Sequence, residues 1–285
     1  MKRRGVIILS GLFAINILLA LYILKTNRPG ILEVDFFDVG QGDSIFITTV
    51  EGHQILLDGG PDSTVLDRLE EEMPPLDRSI DLVILSHPDY DHLTGLIEVL
   101  KRYEVENVLW TGIEKKSDGL AEWNRLLEKE GCNVIIARSD LNISFGLEYI
   151  DIVYPFDSLK GEIVEDANNT SIVFKLVYGD TSFLFTGDIF KEIENDILEK
   201  GENIESDILK IAHHGSKTST SESFLSAVNP NAAVISVGST NTYGHPSPGT
   251  LELLEKYGIN IFRTDIKGNI KLISDNNKIY GFSNI

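Results

Sequence analysis

Ser86-His87-Pro88-Asp89-Tyr90-Asp91-His92-Leu93-Thr94-Gly95 sets two imidazoles and two carboxylates within six residues. The preceding run, Asp81-Leu82-Val83-Ile84-Leu85, reads as a buried strand. Apolar residues from Leu93 to Tyr103 recur near helical spacing. The four ionisable side chains therefore fall on a strand-to-helix turn. Crowded together without a cation, they would repel or desolvate one another. Imidazole plus carboxylate is the donor set that divalent first-row metals take.

Working outward, His87, His92, His213, His214 and His245 all fall at or just after strand ends, beside glycine or proline. Loops at one edge of a sheet converge on a point, as histidines scattered over helix faces do not. His53 follows a turn glycine and reads as a packing or solvated residue. Phe183-Leu184-Phe185-Thr186-Gly187-Asp188 is an apolar strand, a glycine and an acid at a helix start. Alone, Asp188 would be an N-cap. Beside the other clusters it reads as a bridging metal ligand. Asp58 ends its strand in the same way and is expected to hold a ligand residue or a water, or to touch the metal. His213 and His214 are adjacent on a strand and point opposite ways, so one of them serves the site.

Strands come first: 31–37, 44–50 and 53–57. Strand and helix then alternate, with strands at 107–110, 133–137, 145–153, 171–177, 181–186 and 207–212. A helix is expected from Gly187-Asp188 to about Lys200, others at 119–130, 220–227 and 248–257, and a terminal hairpin at 269–282. This order predicts an α/β layered domain with mixed sheets. Residues 1–4 form a basic tail and 5–24 an apolar run long enough to cross a bilayer as an uncleaved signal-anchor helix. Residues 25–30 read as a linker and 31–285 as the folded domain. Lys2, Arg3 and Arg4 favour an inside N-terminus, placing the domain on the extracytoplasmic side of the cell membrane. Cys132 is the only cysteine, which excludes an intrachain disulfide. The chain carries a net charge of −19. Residues 31–285 hold 20 basic against 44 acidic residues, a net of −24, which disfavours strong general binding of nucleic acid.

These motifs together resemble the metallo-β-lactamase superfamily: Asp58, His87-x-Asp89-x-Asp91-His92, Asp188 after a strand, and His214 after a strand. Asp89 stands where the superfamily usually has histidine. Asn168-Asn169-Thr170-Ser171 stands where its third histidine motif is usual. Both departures, with Asp38-Val39-Gly40-Gln41-Gly42-Asp43, His213-His214-Gly215-Ser216-Lys217-Thr218-Ser219, Asn241-Thr242-Tyr243-Gly244-His245-Pro246 and Arg263-Thr264-Asp265-Ile266-Lys267-Gly268, resemble the C-terminal hydrolase domain of the ComEC/Rec2 family of competence DNA-uptake proteins. The resemblance covers about residues 31–275.

It implies a four-layer αββα sandwich with a dinuclear metal site at one edge. One metal position would use His87, Asp89 and Asp188, with Asn169 in place of the missing histidine. The other would use Asp91, His92, Asp188 and His214. Oxygen-rich donors lean toward Mn²⁺, with Zn²⁺ second. Two such ions acidify a shared water and clamp a displacement at phosphorus. Asp91 would orient that water. Ser216, Lys217 and Thr218 would meet phosphate oxygens ahead of a helix. His245 would protonate the leaving oxygen or position a phosphate, and Asn241 and Tyr243 would contact substrate. Asp43 is read first as part of a tight glycine turn, with a supporting role at the site. The expected activity is a membrane-tethered phosphodiesterase or nuclease with a phosphodiester substrate, DNA among the candidates. Hydrolysis of a lactam, lactone or envelope ester, and a non-enzymatic accessory role in DNA uptake, are the alternatives.

Overall fold

The computed structural model describes residues 11–13, 16–17 and 30–283. The expected membrane segment, 5–24, lies almost wholly outside the described residues. Among those described, no helix is long and apolar enough to cross a membrane.

In chain order the first half holds β1 (Leu32–Phe36), β2 (Ile45–Thr48), β3 (Gln54–Leu57), α1 (Thr64–Glu72), β4 (Ser79–Ile84), α2 (Tyr90–Leu100), β5 (Glu104–Trp110), α3 (Asp118–Glu130) and β6 (Asn133–Ile136). The second half holds β7 (Asn142–Phe145), β8 (Glu148–Tyr154), β9 (Val173–Tyr178), β10 (Thr181–Phe185), α4 (Lys191–Lys200), β11 (Ile208–Lys210), α5 (Glu222–Val228), β12 (Ala232–Ile235), α6 (Pro248–Lys256) and β13 (Asn260–Arg263). Short α7 (Thr264–Lys267), β14 (Ile270–Ser274) and β15 (Ile279–Ser283) follow.

One sheet runs β15-β14-β1-β2-β3-β4-β5-β6 and the other β13-β12-β11-β10-β9-β8-β7. Each has an antiparallel part and a parallel part: β3 to β6 in the first, β10 to β13 in the second. Parallel neighbours need crossovers, and α1–α3 and α4–α6 supply them. Strand residues therefore bury both faces. Phe183 and Phe185 enter the core between the sheets with Val34, Phe36 and Ile45. Leu184 faces α4 and α5 on the far side. On the first sheet, Leu56 and Val83 pack outward against α1, α2 and α3. The result is the expected αββα sandwich. The parallel strands of both sheets point their C-terminal ends at one edge, where ligand sites gather in α/β sheets.

Four boundaries differ from the sequence expectation. α2 starts at Tyr90, not Leu93, so Asp91 and His92 sit in its first turn. An acid there is favoured by the helix dipole. The strand expected at 145–153 is β8, starting at Glu148, and an unforeseen β7 precedes it across a two-residue turn that Gly146 at φ 73 allows. α4 begins at Lys191, so Asp188 lies ahead of the helix. β11 stops at Lys210, and His213 and His214 lie in a tight turn, Ala212–Gly215, with left-handed backbone angles.

Candidate metal centre

The site is assembled from residues just past the ends of β3, β4, β10 and β11 and from the first turn of α2. Asp58 follows β3 with φ 56, a backbone conformation that non-glycine residues seldom adopt outside functional sites. Its buried carboxylate accepts hydrogen bonds from the Ser86 N–H at 2.8 Å and the Ser86 hydroxyl at 2.6 Å. His92 Nδ1 donates to it at 2.8 Å. That bond fixes the tautomer and turns His92 Nε2 toward Asp188 Oδ2, 3.4 Å away. The start of α2 is held by close backbone contact: Gly59 N–H donates to His92 O at 2.8 Å and Gly95 N–H to Gly60 O at 3.0 Å. A Cβ on Gly59 or Gly95 would run into the other's backbone.

Asp188 is held by its own N–H, which donates to Ser171 Oγ at 3.0 Å. His213 and His214 both take positive φ, 51 and 53, so they do not alternate like strand residues. His214 Nδ1 donates to Ser236 O at 2.8 Å. Its Nε2 therefore faces Asp188 Oδ2 at 3.4 Å and Asp91 Oδ2 at 3.5 Å. His87 Nδ1 lies 3.1 Å from Ser86 Oγ, with Nε2 turned inward.

The donor chemistry fits divalent metal ions. Nε2 of His87, His92 and His214 and Oδ1 of Asp188 are buried without a hydrogen-bond partner. Each such orphan costs about 1–3 kcal/mol unless something binds it. His87–His92–Asp188 and Asp91–His92–His214 each offer three donor atoms within 4.8 Å of one another. Burial, then the neighbouring His92, pushes the His87 imidazole down to about 3, so it is a neutral donor at pH 7. Burial works against the charged forms of His92 and His214, but Asp188 outweighs it and holds both well above the usual imidazole range. Burial likewise works against ionised Asp188, and His214 and then His92 hold it well below the usual carboxylate range.

The predicted residues divide into those at the centre and those around it. His87, Asp91, His92, Asp188 and His214 converge. Asp58 acts behind His92. Asp89, expected as a ligand, pairs with Lys115 through Oδ1, and its Oδ2 lies 3.9 Å from His87 Nε2. Asn169, expected in place of a histidine, accepts the Phe190 N–H at 2.8 Å through Oδ1 and so ties down the turn after Asp188. His213 lies outside the donor sets, its Nδ1 3.3 Å from Thr218 Oγ1 and its ring between Phe190 and His245. His214 is thus the inward member of the pair. His245 lies beside the site, stacked on Tyr243 at 5.8 Å, with Nδ1 buried and unpartnered.

Asn241 is occupied in closing its own loop. It accepts from His245 N at 3.1 Å and donates to Gly238 O and His245 O. Tyr243 is exposed, with its hydroxyl 3.5 Å from that of Tyr90. The Ser216 hydroxyl lies 2.9 Å from that of Thr218, and the Lys217 carbonyl accepts from Lys191 Nζ at 2.8 Å. These three do not sit at a helix N-terminus, since α5 starts only at Glu222. His53 is away from the site, packed 5.7 Å from the Phe145 ring.

Lys210 escaped the sequence reading altogether, and the burial of Asp43 was not foreseen. Both are fully buried and form an ion pair under the histidines. The available signal was a lone charge inside the apolar run Ile208-Leu209-Lys210-Ile211-Ala212. Burial works against ionised Asp43, but Lys210, then His214 and His92, outweigh it and hold its carboxyl below the usual carboxylate range.

Comparison with known proteins agrees with this geometry. The chain is 32% identical over 260 residues to ComE operon protein 3 of Bacillus subtilis (strain 168), covering 84% of this chain and 32% of the relative. It is 32% identical over 245 residues to Recombination protein 2 of Haemophilus influenzae, covering 84% and 28%. Competence protein ComA of Neisseria gonorrhoeae is 30% identical over 245 residues, covering 82% and 31%. The chain thus spans about a third of the length of these curated relatives. Among solved structures, the metallo-beta-lactamase fold protein YhfI from Bacillus subtilis superposes with a TM-score of 0.57 at 12% identity, covering 88% of this chain and 100% of that one. The diiron β-hydroxylase CmlA from Streptomyces venezuelae gives 0.52 at 16% identity, covering 83% and 53%. A family model described as the Metallo-beta-lactamase superfamily matches residues 37–239, and the chain belongs to that superfamily.

Proposed function

We propose that the domain is a metal-dependent phosphodiesterase or nuclease. The observation that carries this is the pair of three-donor sets sharing His92, with buried nitrogens and an oxygen that have no other partner. Divalent ions bound there supply a water acidified toward neutral pH and a charge clamp for a displacement at phosphorus. The two sets together offer three imidazoles and two carboxylates, a mixed donor set open to Zn²⁺ and Mn²⁺ alike. The named competence relatives fit a phosphodiester substrate.

The chain's own residues have distinct tasks in this reading. Asp91 lies at the mouth of the site, its side chain 16% exposed, and in this reading orients the attacking water. Asp58 and Ser236 hold His92 and His214 in the tautomers that face inward. Burial, then His213 and His214, lowers the His245 imidazole, so it is neutral at pH 7. That favours positioning of a phosphate oxygen over donation of a proton to the leaving group. Tyr90 and Tyr243 flank the entrance and offer ring faces to substrate. The net charge of −24 over residues 31–285 makes a short, local contact with a polyanion more favourable than an extended one. Residues 5–24 tether the domain to the membrane on its extracytoplasmic side in this reading. Protease digestion of intact spheroplasts checks it, since a protected domain refutes that orientation.

The central test is a hydrolysis screen with added Mn²⁺ or Zn²⁺. It compares bis(p-nitrophenyl) phosphate, single-stranded and duplex DNA, and a chromogenic lactam, for the wild type and Asp91→Ala. Turnover of a phosphodiester that is lost in the folded variant supports the proposal. Turnover of the lactam alone, or phosphodiester turnover that survives in Asp91→Ala, overturns it.

A further inference from the structure

Beneath the two donor sets lies a third, made by Asp43, Asp188 and His214, whose donor atoms also fall within 4.8 Å of one another. Asp43 Oδ1 is 3.4 Å from His214 Nδ1. Oδ1 of Asp43 and Oδ1 of Asp188 are buried and have no hydrogen-bond partner. Lys210 fills this place. It is fully buried on β11 and shares the inward face of that strand with Ile208. Its ammonium pairs with Asp43, donates to Gly187 O at 3.3 Å and lies 3.7 Å from Asp188 Oδ1.

We propose that Lys210 is the resident cation of this inner set and keeps a metal ion out of it. The inference rests on the metal-centre reading above and adds a residue to it. Asp188 and His214 belong to the inner set and also to the outer ones. An ion in the inner position would compete for the Asp188 carboxylate and, if it displaced the Nδ1 proton that His214 gives to Ser236 O, for that imidazole as well. A lysine supplies the needed positive charge from inside the chain and cannot exchange with solvent. Asp43 is fixed for this pairing from the other sheet. Its N–H donates to Asp91 O at 3.2 Å and its carbonyl accepts from Gly60 N–H at 2.8 Å. The ion pair thus joins the β1–β2 turn of one sheet to β11 of the other, directly under the site.

The test compares the wild type with Lys210→Met and with Asp43→Asn/Lys210→Met. Each protein is loaded with Mn²⁺ and freed of excess. Metal per chain is measured by elemental analysis, the Mn²⁺ environment by electron paramagnetic resonance, and the thermal midpoint with and without Mn²⁺. Lys210→Met is expected to hold an additional ion per chain, with a new resonance signature and a larger rise in midpoint on adding Mn²⁺ than the wild type shows. The double variant, which removes the buried carboxylate as well, is expected to return to the wild-type metal content. If Lys210→Met folds only in the presence of Mn²⁺, the metal is replacing the ammonium and the proposal stands. Unchanged metal content and midpoint rise in Lys210→Met, failure to fold even with Mn²⁺, or an extra ion retained in the double variant each overturns it. A wild type that takes up no ion overturns the metal-centre reading itself.

Discussion

Asp58→Asn isolates the task of a residue that touches no proposed metal ligand except His92. The carboxylate is an acceptor only, and three donors converge on it: Ser86 N–H at 2.8 Å, Ser86 Oγ–H at 2.6 Å and His92 Nδ1–H at 2.8 Å. Asparagine keeps the shape but turns one acceptor into a donor. If its NH₂ replaces Oδ1, it faces the Ser86 backbone N–H, and a buried donor is lost at about 1–3 kcal/mol. If its NH₂ replaces Oδ2, the Ser86 hydroxyl can rotate and accept. His92 must then move its proton from Nδ1 to Nε2, and Nε2 is the atom facing Asp188 at 3.4 Å. A protonated Nε2 has no lone pair for a metal. Loss of such an orienting partner costs about 10–100-fold in metal affinity, or about 1.4–2.7 kcal/mol. Titration of the metal-free proteins with Mn²⁺ measures the affinity, nitrogen NMR of the proteins loaded with diamagnetic Zn²⁺ reads the His92 tautomer, and denaturant melts read the stability. A folded Asp58→Asn protein with wild-type affinity, an unchanged tautomer and unchanged stability would refute the reasoning.

Two further outcomes follow from the same geometry. In the metal-free protein, the raised His92 and His214 imidazoles add stability below the unfolded value near 6.5, and this is lost as pH rises through their folded values. The depressed Asp188 adds stability above about 3.8 that is lost as pH falls through its folded value. Metal needs neutral imidazoles, so its binding at pH 7 should release about one to two protons and tighten as pH rises. Calorimetry in buffers of different ionisation enthalpy reads this, and a heat independent of buffer contradicts it. Gly42→Ala should destabilise the fold by about 1–3 kcal/mol, because Gly42 has φ 140 and an added Cβ meets the Asp91 backbone carbonyl. Denaturant melts and Mn²⁺ affinity should fall together. A variant with normal melts and normal affinity rules out the turn as a support for Asp91.

Much of the layered fold was legible because its signals are local. Strand ends, glycine turns and helical spacing are read within a window of a few residues. That sufficed for β1 to β3, the β9–β10 hairpin and the terminal hairpin. It missed β7 and set the start of β8 too early, across the turn at Gly146, whose φ is positive. It also set the start of α4 at Gly187-Asp188, ahead of its true start at Lys191.

The site divides in the same way. By itself, the sequence determined which side chains belong to it: His87, Asp91, His92, Asp188 and one of an adjacent histidine pair. Donor type and position at a strand end are properties of short segments. Only the tertiary structure decided that His214 faces inward, since two consecutive residues with positive φ break strand alternation. Only it paired Asp89 Oδ1 with Lys115, leaving Oδ2 near His87, and Asn169 Oδ1 with the Phe190 N–H. Lys210 is the clearest case. A buried lysine is tolerable only where acceptors surround it, and here they come from the β1–β2 turn of the opposite sheet and from the β10 end. The sequence placed a charge in an apolar strand, and the packing of two sheets gave that charge its partners.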